Sequence, residues 1–205
     1  MIKVISFDIG GTLIQNESDD KYNLKSLSEM IKLPYDLVRD NYKSIFQKKK
    51  GTLENLVNNF CDSLNIQNTQ EIENFFSEKF SNVQNTVPNK YIKLIRKLKN
   101  KGYKVILFSN SCCLINNYIN EELYNMLDGI YYSFDIGYTK SDEESYRLIE
   151  KELENLPHEF LHIGDTLKSD YLIPKKNGWN ALYYGKCDNE NINSITDLEK
   201  IEDYL

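Results

Sequence analysis

The chain lacks a concentrated positive charge. Its formal net charge is −6, and its only run of basic residues is Lys48, Lys49 and Lys50. Proteins that bind nucleic acids usually carry a basic face or stripe, so we expect no nucleic-acid partner. We interpret the three lysines as the solvated end of a helix.

Long apolar runs and paired cysteines are missing as well. No segment reaches the ~18 consecutive apolar residues that indicate a membrane-spanning helix, so no membrane partner is predicted. The N-terminal apolar run has the length of a β-strand and ends at Asp8, which is not the pattern of a secretory signal. The four cysteines show no CxxC spacing and no disulfide-rich pattern. These absences favour a reduced protein of the cytoplasm.

The first half of the chain predicts a small helical bundle. A chain of 205 residues can bury one good core and a modest accessory layer, so we expect one domain with an insertion. Apolar residues recur at helical spacing in four groups between residues 21 and 83, namely Leu24, Leu27 and Ile31; Val38, Tyr42 and Ile45; Leu53, Leu56, Phe60 and Leu64; and Ile72, Phe75, Phe76, Phe80 and Val83. Pro34, Gly51-Thr52 and Asn68-Thr69 separate the groups. Residues 16–85 are therefore predicted as a four-helix domain, inserted into a second domain of residues 1–15 and 86–205.

That second domain has the pattern of an α/β fold. Residues 2–9 predict a buried strand, and after Pro88 helical segments alternate with the strands KVILFSNS, DGIYYSFDIG, EFLHIGD and ALYYG. The helices are predicted at residues 88–101, 115–127, 142–155 and 168–177, and a short one closes the chain. Strands that alternate with helices imply a parallel sheet covered on both faces, here Rossmann-like with five strands.

Polar residues stand where three of these strands end. Asp8 ends the first strand, Ser109 and Asn110 end the second, and Asp165 follows the glycine of EFLHIGD. Ligands of open α/β sheets bind at the carboxyl ends of the strands. Each residue alone would be an ordinary turn residue, but together they predict a ligand site at one edge of the sheet.

Four segments in order resemble one enzyme family. They are DIGGT at residues 8–12, LFSNS at 107–111, Lys140 in SFDIGYTKSDEESY, and GDTLKSD at 164–170. The chain resembles the haloacid dehalogenase-like (HAD) phosphohydrolases over nearly its whole length, and residues 16–85 fall where one subclass inserts an α-helical cap. Ser141 departs from the family pattern, in which proline is common at that position.

The resemblance implies a reaction and a metal. Asp8 would attack phosphorus and form an aspartyl-phosphate, which splits the transfer into two steps. Mg²⁺, which prefers hard oxygen ligands, would be held by Asp8, Asp165, Asp170 and the backbone carbonyl of Gly10. The implied substrate is a small phosphorylated metabolite, bound by a monomer or a homodimer.

The resemblance also implies how phosphate is held. The Ser109 hydroxyl and the backbone N–H of Asn110 would bind phosphate oxygens. Lys140 would neutralise phosphate charge and keep Asp8 ionised. An isolated lysine is usually a surface residue, and an acid such as Asp170 is also common at the start of a helix. Both roles therefore depend on the four segments occurring together.

Gly10 departs from the family pattern in a way that affects the chemistry. Most family phosphatases have a second aspartate there, which protonates the leaving oxygen and then activates water. General acid–base catalysis contributes roughly 10²–10⁴-fold, and its loss matters most for a poor leaving group such as an alkoxide. Gly10 keeps the backbone carbonyl that a metal needs, but it has no side chain that could donate a proton to the leaving oxygen.

Several alternatives remain open at this point. Dehalogenases lack the second aspartate but also lose the metal site, and P-type ATPases need membrane helices. Phosphonoacetaldehyde hydrolases use a cap lysine as a Schiff base, a role for which Lys48, Lys49 or Lys50 would be candidates. A catalytically weakened HAD domain would bind a ligand or regulate a partner. DIGGT also resembles the phosphate loop of actin-like sugar kinases, although no second glycine-rich loop follows.

The remaining distinctive residues receive structural interpretations. Trp179 is interpreted as packing, and Cys112 and Cys113 as buried thiols. His158 and His162 flank a strand without partners at metal-ligand spacing, so neither is assigned a role.

Overall fold

The centre of the protein is a six-stranded parallel sheet. The computed structural model describes residues 1–14, 23–81, 85–115 and 117–205. The strands in chain order are β1 (Val4–Phe7), β2 (Asn85–Thr86), β3 (Lys104–Ser109), β4 (Asn117–Tyr118), β5 (Gly129–Tyr132), β6 (Phe160–Gly164), β7 (Asn180–Tyr184) and β8 (Ser194–Ile195). The main sheet has the order β5-β3-β1-β6-β7-β8, and β2 pairs with β4 in a separate parallel pair. The predicted α/β, Rossmann-like class is confirmed.

The sheet is buried on both faces. Alternate residues of one strand belong to different apolar clusters: Val105 and Leu107 pack on one side, and Ile106 and Phe108 on the other. This follows from the strand period of two, which directs successive side chains to opposite faces. Trp179 belongs to the second cluster, stacks on Phe160 at 4.2 Å between ring centroids, and is buried as interpreted.

Nine α-helices are found among the described residues. They are α1 (Leu24–Met30), α2 (Tyr35–Phe46), α3 (Leu53–Leu64), α4 (Gln70–Ser81), α5 (Asn89–Asn100), α6 (Glu121–Met126), α7 (Ser133–Ile136), α8 (Glu143–Leu153) and α9 (Ile173–Lys176). A π-helical turn spans Leu167–Leu172, and 3₁₀ turns span Pro157–Glu159 and Leu198–Tyr204. Among the described residues, no helix combines the length and the apolar character that a membrane crossing requires.

Helices α1 to α4 share an apolar cluster of their own, which we call the helical layer. Phe46, Phe60 and Phe76 form its centre, with 4.6 Å between the ring centroids of Phe46 and Phe76. Asn23 caps α1 by accepting hydrogen bonds from two backbone N–H groups, and Thr52 caps α3 by accepting from one. Cys112, from the segment after β3, is buried in this cluster, while Cys113 is only partly buried.

The four predicted helices of the insertion are therefore present. The segment predicted to begin the insertion lies largely outside the described residues, as does Val83. The division into two domains at residues 15/16 and 85/86 stays a prediction.

Three predicted elements were wrong in extent. The strand DGIYYSFDIG ends at Tyr132, because residues 133–136 form α7, which ends at Gly137 with a φ of 76°. The helix predicted at 115–127 is only α6, because the Asn120 side chain caps the chain there, accepting from the backbone N–H of Leu123 at 2.8 Å. The helix predicted at 168–177 divides into the π-helical turn and α9.

The sixth strand was missed. Strand β8 has two residues, of which only Ile195 is buried, and so short a segment carries no readable periodicity.

Candidate active site

The polar residues predicted at the strand ends meet in one pocket. Strands β3, β1 and β6 are neighbours in the sheet, with Phe7 paired to Leu107 on one side and to Ile163 on the other. The residues that follow them therefore emerge side by side. The pocket has a volume of about 390 Å³, and all seven predicted site residues line it: Asp8, Gly10, Ser109, Asn110, Lys140, Asp165 and Asp170.

Lys140 lies at the centre of this pocket and is not a surface residue. Its Nζ donates to Asp8 Oδ1 and to Asp170 Oδ1, each at 2.6 Å, and the side chain is 2% exposed. Its backbone is held as well: its N–H donates to Asn110 Oδ1 at 2.8 Å, and its carbonyl accepts from the Tyr146 hydroxyl at 3.0 Å. Asn110 therefore also positions Lys140, a contact that its sequence position did not suggest.

The turn that carries Lys140 is closed by Asp142. Asp142 Oδ2 accepts from the N–H and the hydroxyl of Thr139 at 2.7 and 2.8 Å. Lys48 pairs with the same oxygen at 2.7 Å. These contacts restrain a turn in which Ser141 replaces the more usual proline, and they connect it to the end of α2.

Asp170 is a buried member of the site and not simply the start of a helix. It is 1% exposed, and Oδ2 accepts from the Thr166 N–H at 2.9 Å while Oδ1 accepts from Lys140. A Cβ at Gly164 would lie 2.5 Å from Asp170 Cγ, so the glycine of the GD pair lets this carboxylate approach the strand.

Gly11 has a comparable role on the other side of the site. Its φ is 77°, in the left-handed region that favours glycine. A Cβ on Gly11 would lie 2.0 Å from Asp165 Oδ2. The turn that follows Asp8 and the Asp165 carboxylate therefore fit together only because position 11 has no side chain.

The charges of the site balance only in part. Burial raises the pKa of Asp8, and the repulsion from Asp170 adds to this, although Lys140 partly offsets both. Burial and the charge of Asp170 likewise raise the pKa of Asp165. Burial also acts against the charge of Asp170, but Lys140 and His162 outweigh it and hold the pKa of that carboxyl below its usual range. Three carboxyl groups thus share one buried ammonium group.

This excess of acids fits a hard cation. Asp8, Asp165 and Asp170 can each place an oxygen so that the three atoms lie within 4.8 Å of one another. Carboxylate oxygens are the ligands that Mg²⁺ and Ca²⁺ prefer. The residues present are therefore chemically suited to a divalent metal.

The family follows from a sequence comparison. A family model for haloacid dehalogenase-like hydrolases matches residues 2–178, which contain every residue of this pocket. The chain belongs to the haloacid dehalogenase-like hydrolases. This assignment confirms the resemblance carried by DIGGT and GDTLKSD, and the sugar-kinase alternative is wrong. A search of curated protein sequences gave no significant match.

Solved structures of HAD proteins share this fold. A HAD family enzyme from Bacteroides thetaiotaomicron is 16% identical, with a TM-score of 0.64 over 92% of this chain and 96% of that one. Its complex with magnesium and inorganic phosphate has a TM-score of 0.62 at 14% identity, over 93% and 98% of the chains. A predicted phosphoglycolate phosphatase from Haemophilus somnus has a TM-score of 0.58 at 16% identity over 99% and 97% of the chains. A 2-haloacid dehalogenase from Pseudomonas syringae has a TM-score of 0.61 at 15% identity over 99% and 97%.

The HAD site contains a residue that the sequence interpretation missed. His162, on β6, is fully buried, and its Nε2 lies 3.2 Å from Asp170 Oδ1. A usable signal was present: a histidine in the middle of a fully buried strand needs hydrogen-bond partners. Nothing in the sequence indicated that the partner would be Asp170.

The helical layer contributes two residues to the pocket of this HAD protein. Lys43 and Gln47, one turn apart at the end of α2, line it opposite the strand ends. Lys48 and Lys50 instead pair with Asp142 and Asp135. Among the described residues that line the pocket, none belongs to the Lys48–Lys50 run, so the Schiff-base alternative receives no support from their placement.

Proposed function

We propose that the protein is a Mg²⁺-dependent phosphohydrolase that acts on a small phosphorylated metabolite through an aspartyl-phosphate intermediate. The observation that carries the proposal is the buried Lys140, bonded at 2.6 Å to both Asp8 and Asp170 in a pocket that also contains Asp165. Phosphoryl transfer depends mainly on positioning and on neutralising charge, and this arrangement supplies both.

Asp8 is the proposed nucleophile. Lys140 donates to Oδ1, which leaves Oδ2 as the oxygen for attack on phosphorus. The oxygen forms a bond to phosphorus as the bond to the leaving group breaks, and water then hydrolyses the acyl phosphate. The attraction of Lys140 favours the ionised form of Asp8, which attack requires.

Ser109 and Asn110 are the proposed phosphate-binding residues. Both line the pocket at the end of β3. The Ser109 hydroxyl and the Asn110 backbone N–H would donate to phosphate oxygens, while the Asn110 side chain is occupied with the Lys140 backbone.

Asp8, Asp165, the Gly10 carbonyl and Asp170 would hold the metal. Bound Mg²⁺ would neutralise charge on the transferring phosphoryl group. The Bacteroides relative crystallised with magnesium and inorganic phosphate supports this choice of ion and ligand. A dehalogenase role is less favoured, because halide departs without needing a proton or a metal, whereas three acids converge here.

Helices α1 to α4 would act as the cap that covers the site and selects the substrate. Lys43 and Gln47 are the residues through which they would contact the part of the substrate beyond the phosphate, since both line the pocket. A pocket of about 390 Å³ lies in the range of small-molecule sites.

A Lys43→Ala variant tests this contact. We expect KM to rise by about tenfold with little change in kcat, because a cation that binds substrate and transition state alike affects binding only. Steady-state kinetics with any substrate found would measure this. Lys49→Ala is the control, since Lys49 is exposed on the same segment. Equal KM values for the two variants would remove Lys43 from the substrate site.

A substrate panel with and without Mg²⁺ tests the proposed function. Acetyl phosphate, p-nitrophenyl phosphate and sugar phosphates cover good and poor leaving groups. We expect Mg²⁺-dependent release of phosphate, fastest from acetyl phosphate and p-nitrophenyl phosphate, because Gly10 cannot donate a proton. Turnover that does not need the metal would contradict the mechanism. Binding of a phosphorylated compound without turnover would instead favour the second candidate, a HAD domain that binds or regulates, which the missing acid at Gly10 supports.

A further inference from the structure

A chain of buried polar groups extends behind the site. Ser6 on β1 and His162 on β6 are neighbours in the sheet, paired in register. Ser6 Oγ lies 2.9 Å from His162 Nδ1, and His162 Nε2 lies 3.2 Å from Asp170 Oδ1. Both Ser6 and His162 are 0% exposed. The three side chains thus connect the middle of the sheet to the carboxylate that holds Lys140.

The donors and acceptors in this chain can be assigned. An ionised carboxylate only accepts hydrogen bonds, so His162 must carry a proton on Nε2 to bond Asp170. In a neutral imidazole, Nδ1 is then the acceptor, and the Ser6 hydroxyl is the group that donates to it. The Asp170 carboxylate therefore selects the Nε2–H tautomer, and the Ser6 hydroxyl holds the other side of the ring by donating to Nδ1.

Asp170 is held by three donors as a result. Lys140 and His162 donate to Oδ1, and the Thr166 N–H donates to Oδ2. Thr166 belongs to the loop and Lys140 to the other side of the pocket, so His162 is the donor that ties the carboxylate to the sheet. Without it, Asp170 would keep the bonds from Lys140 and Thr166 but lose its tie to the sheet.

We propose that His162, whose ring is held by the hydrogen bond to Ser6, is a positioning residue that orients Asp170 and, through Asp170, Lys140 and the metal-binding carboxylates. The inference rests on the proposed phosphohydrolase function for its catalytic consequence. Groups that hydrogen-bond metal-site residues from behind typically contribute 10–100-fold to metal affinity or activity. His162 also contacts Phe108 and Trp179, so a packing role has to be separated from a hydrogen-bonding role.

Two substitutions at His162 distinguish a packing role from a hydrogen-bonding role. His162→Phe keeps an aromatic ring and removes both nitrogens, whereas His162→Gln places an amide N–H close to the position of Nε2. We expect His162→Phe to weaken Mg²⁺ binding or lower kcat by about 10–100-fold, and His162→Gln to retain most of both. Calorimetric titration of the protein with Mg²⁺ gives the affinity, and phosphate release gives kcat and KM. Equal losses in the two variants, or no loss in His162→Phe, would overturn the proposal.

A spectroscopic measurement tests the hydrogen bonds from Ser6 through His162 to Asp170 without any substrate or metal. The protein has two histidines, and the other, His158, is exposed, so a His158→Gln variant assigns the imidazole signals of His162. We expect ¹⁵N-detected NMR to show a single Nε2–H tautomer, and Ser6→Ala to shift the Nδ1 signal because that nitrogen loses its hydrogen bond. An Nδ1–H tautomer, or His162 signals that Ser6→Ala leaves unchanged, would refute this series of hydrogen bonds even in a well-folded protein. If this signature holds while neither Mg²⁺ binding nor turnover is found, the proposed function fails and the positioning of Asp170 by His162 stands.

Discussion

Replacing Asp8 with asparagine is expected to abolish phosphate release from every substrate that the wild-type protein turns over. The amide is a poor nucleophile, and the change also removes one of the two carboxylates that neutralise Lys140. Loss of a covalent nucleophile lowers kcat by orders of magnitude, so we expect a fall of at least about 10⁴-fold. Phosphate release would be measured with acetyl phosphate and p-nitrophenyl phosphate in the presence of Mg²⁺.

The matching control is Asp188→Asn. Asp188 is exposed and is not among the residues that line the pocket, so this variant should keep wild-type kcat and KM. Trapping with hydroxylamine gives a second readout, because an aspartyl-phosphate reacts with it and a variant without the nucleophile cannot form one. Turnover by Asp8→Asn close to the wild-type rate would exclude Asp8 as the nucleophile.

Replacing Gly10 with aspartate is expected to speed the hydrolysis of alkyl phosphates far more than that of acyl phosphates. An alkoxide needs a proton as it leaves, and general acid catalysis contributes roughly 10²–10⁴-fold, whereas an acyl phosphate has a good leaving group. Gly10 lines the pocket, and it is not among the described glycines with a positive φ, so its backbone conformation does not exclude an aspartate. The comparison requires kcat/KM for glycerol phosphate and acetyl phosphate with both proteins.

Gly10→Asn separates proton transfer from other effects of a new side chain. It has nearly the size of aspartate and cannot act as a general acid, so we expect no gain on either substrate. An equal gain on alkyl and acyl phosphates in Gly10→Asp would mean that leaving-group protonation is not what limits the wild-type protein. The same holds if Gly10→Asn matches Gly10→Asp.

The sequence predicted most of the fold and the positions of the site residues. Asp8, Ser109 and Asp165 were recognised because strand ends of a parallel sheet lie at one edge, a rule that needs only the order of elements. The helices of the insertion were recognised because their apolar stripes are long and regular. Family resemblance then supplied the roles, including that of Lys140, which no local pattern distinguishes from a surface lysine.

Contacts that depend on the register between strands could not be predicted. Ser6 and His162 are 156 positions apart and meet because β1 and β6 pair in one register, which neither segment encodes alone. Lys43 and Gln47 line the pocket because α2, which packs between α1 and α3, ends beside it, and the helical period shows only that they share a face.

The two glycines of DIGGT look equivalent in the sequence and differ in what substitutions they permit. At Gly11, a Cβ would lie 2.0 Å from Asp165 Oδ2, and the left-handed backbone disfavours any other residue. Any substitution at position 11 is therefore expected to disrupt the site. Position 10 lines the pocket without a positive φ, and some glycine codons differ from an aspartate codon by a single base. In evolutionary terms, position 10 is open to the acidic residue that position 11 excludes.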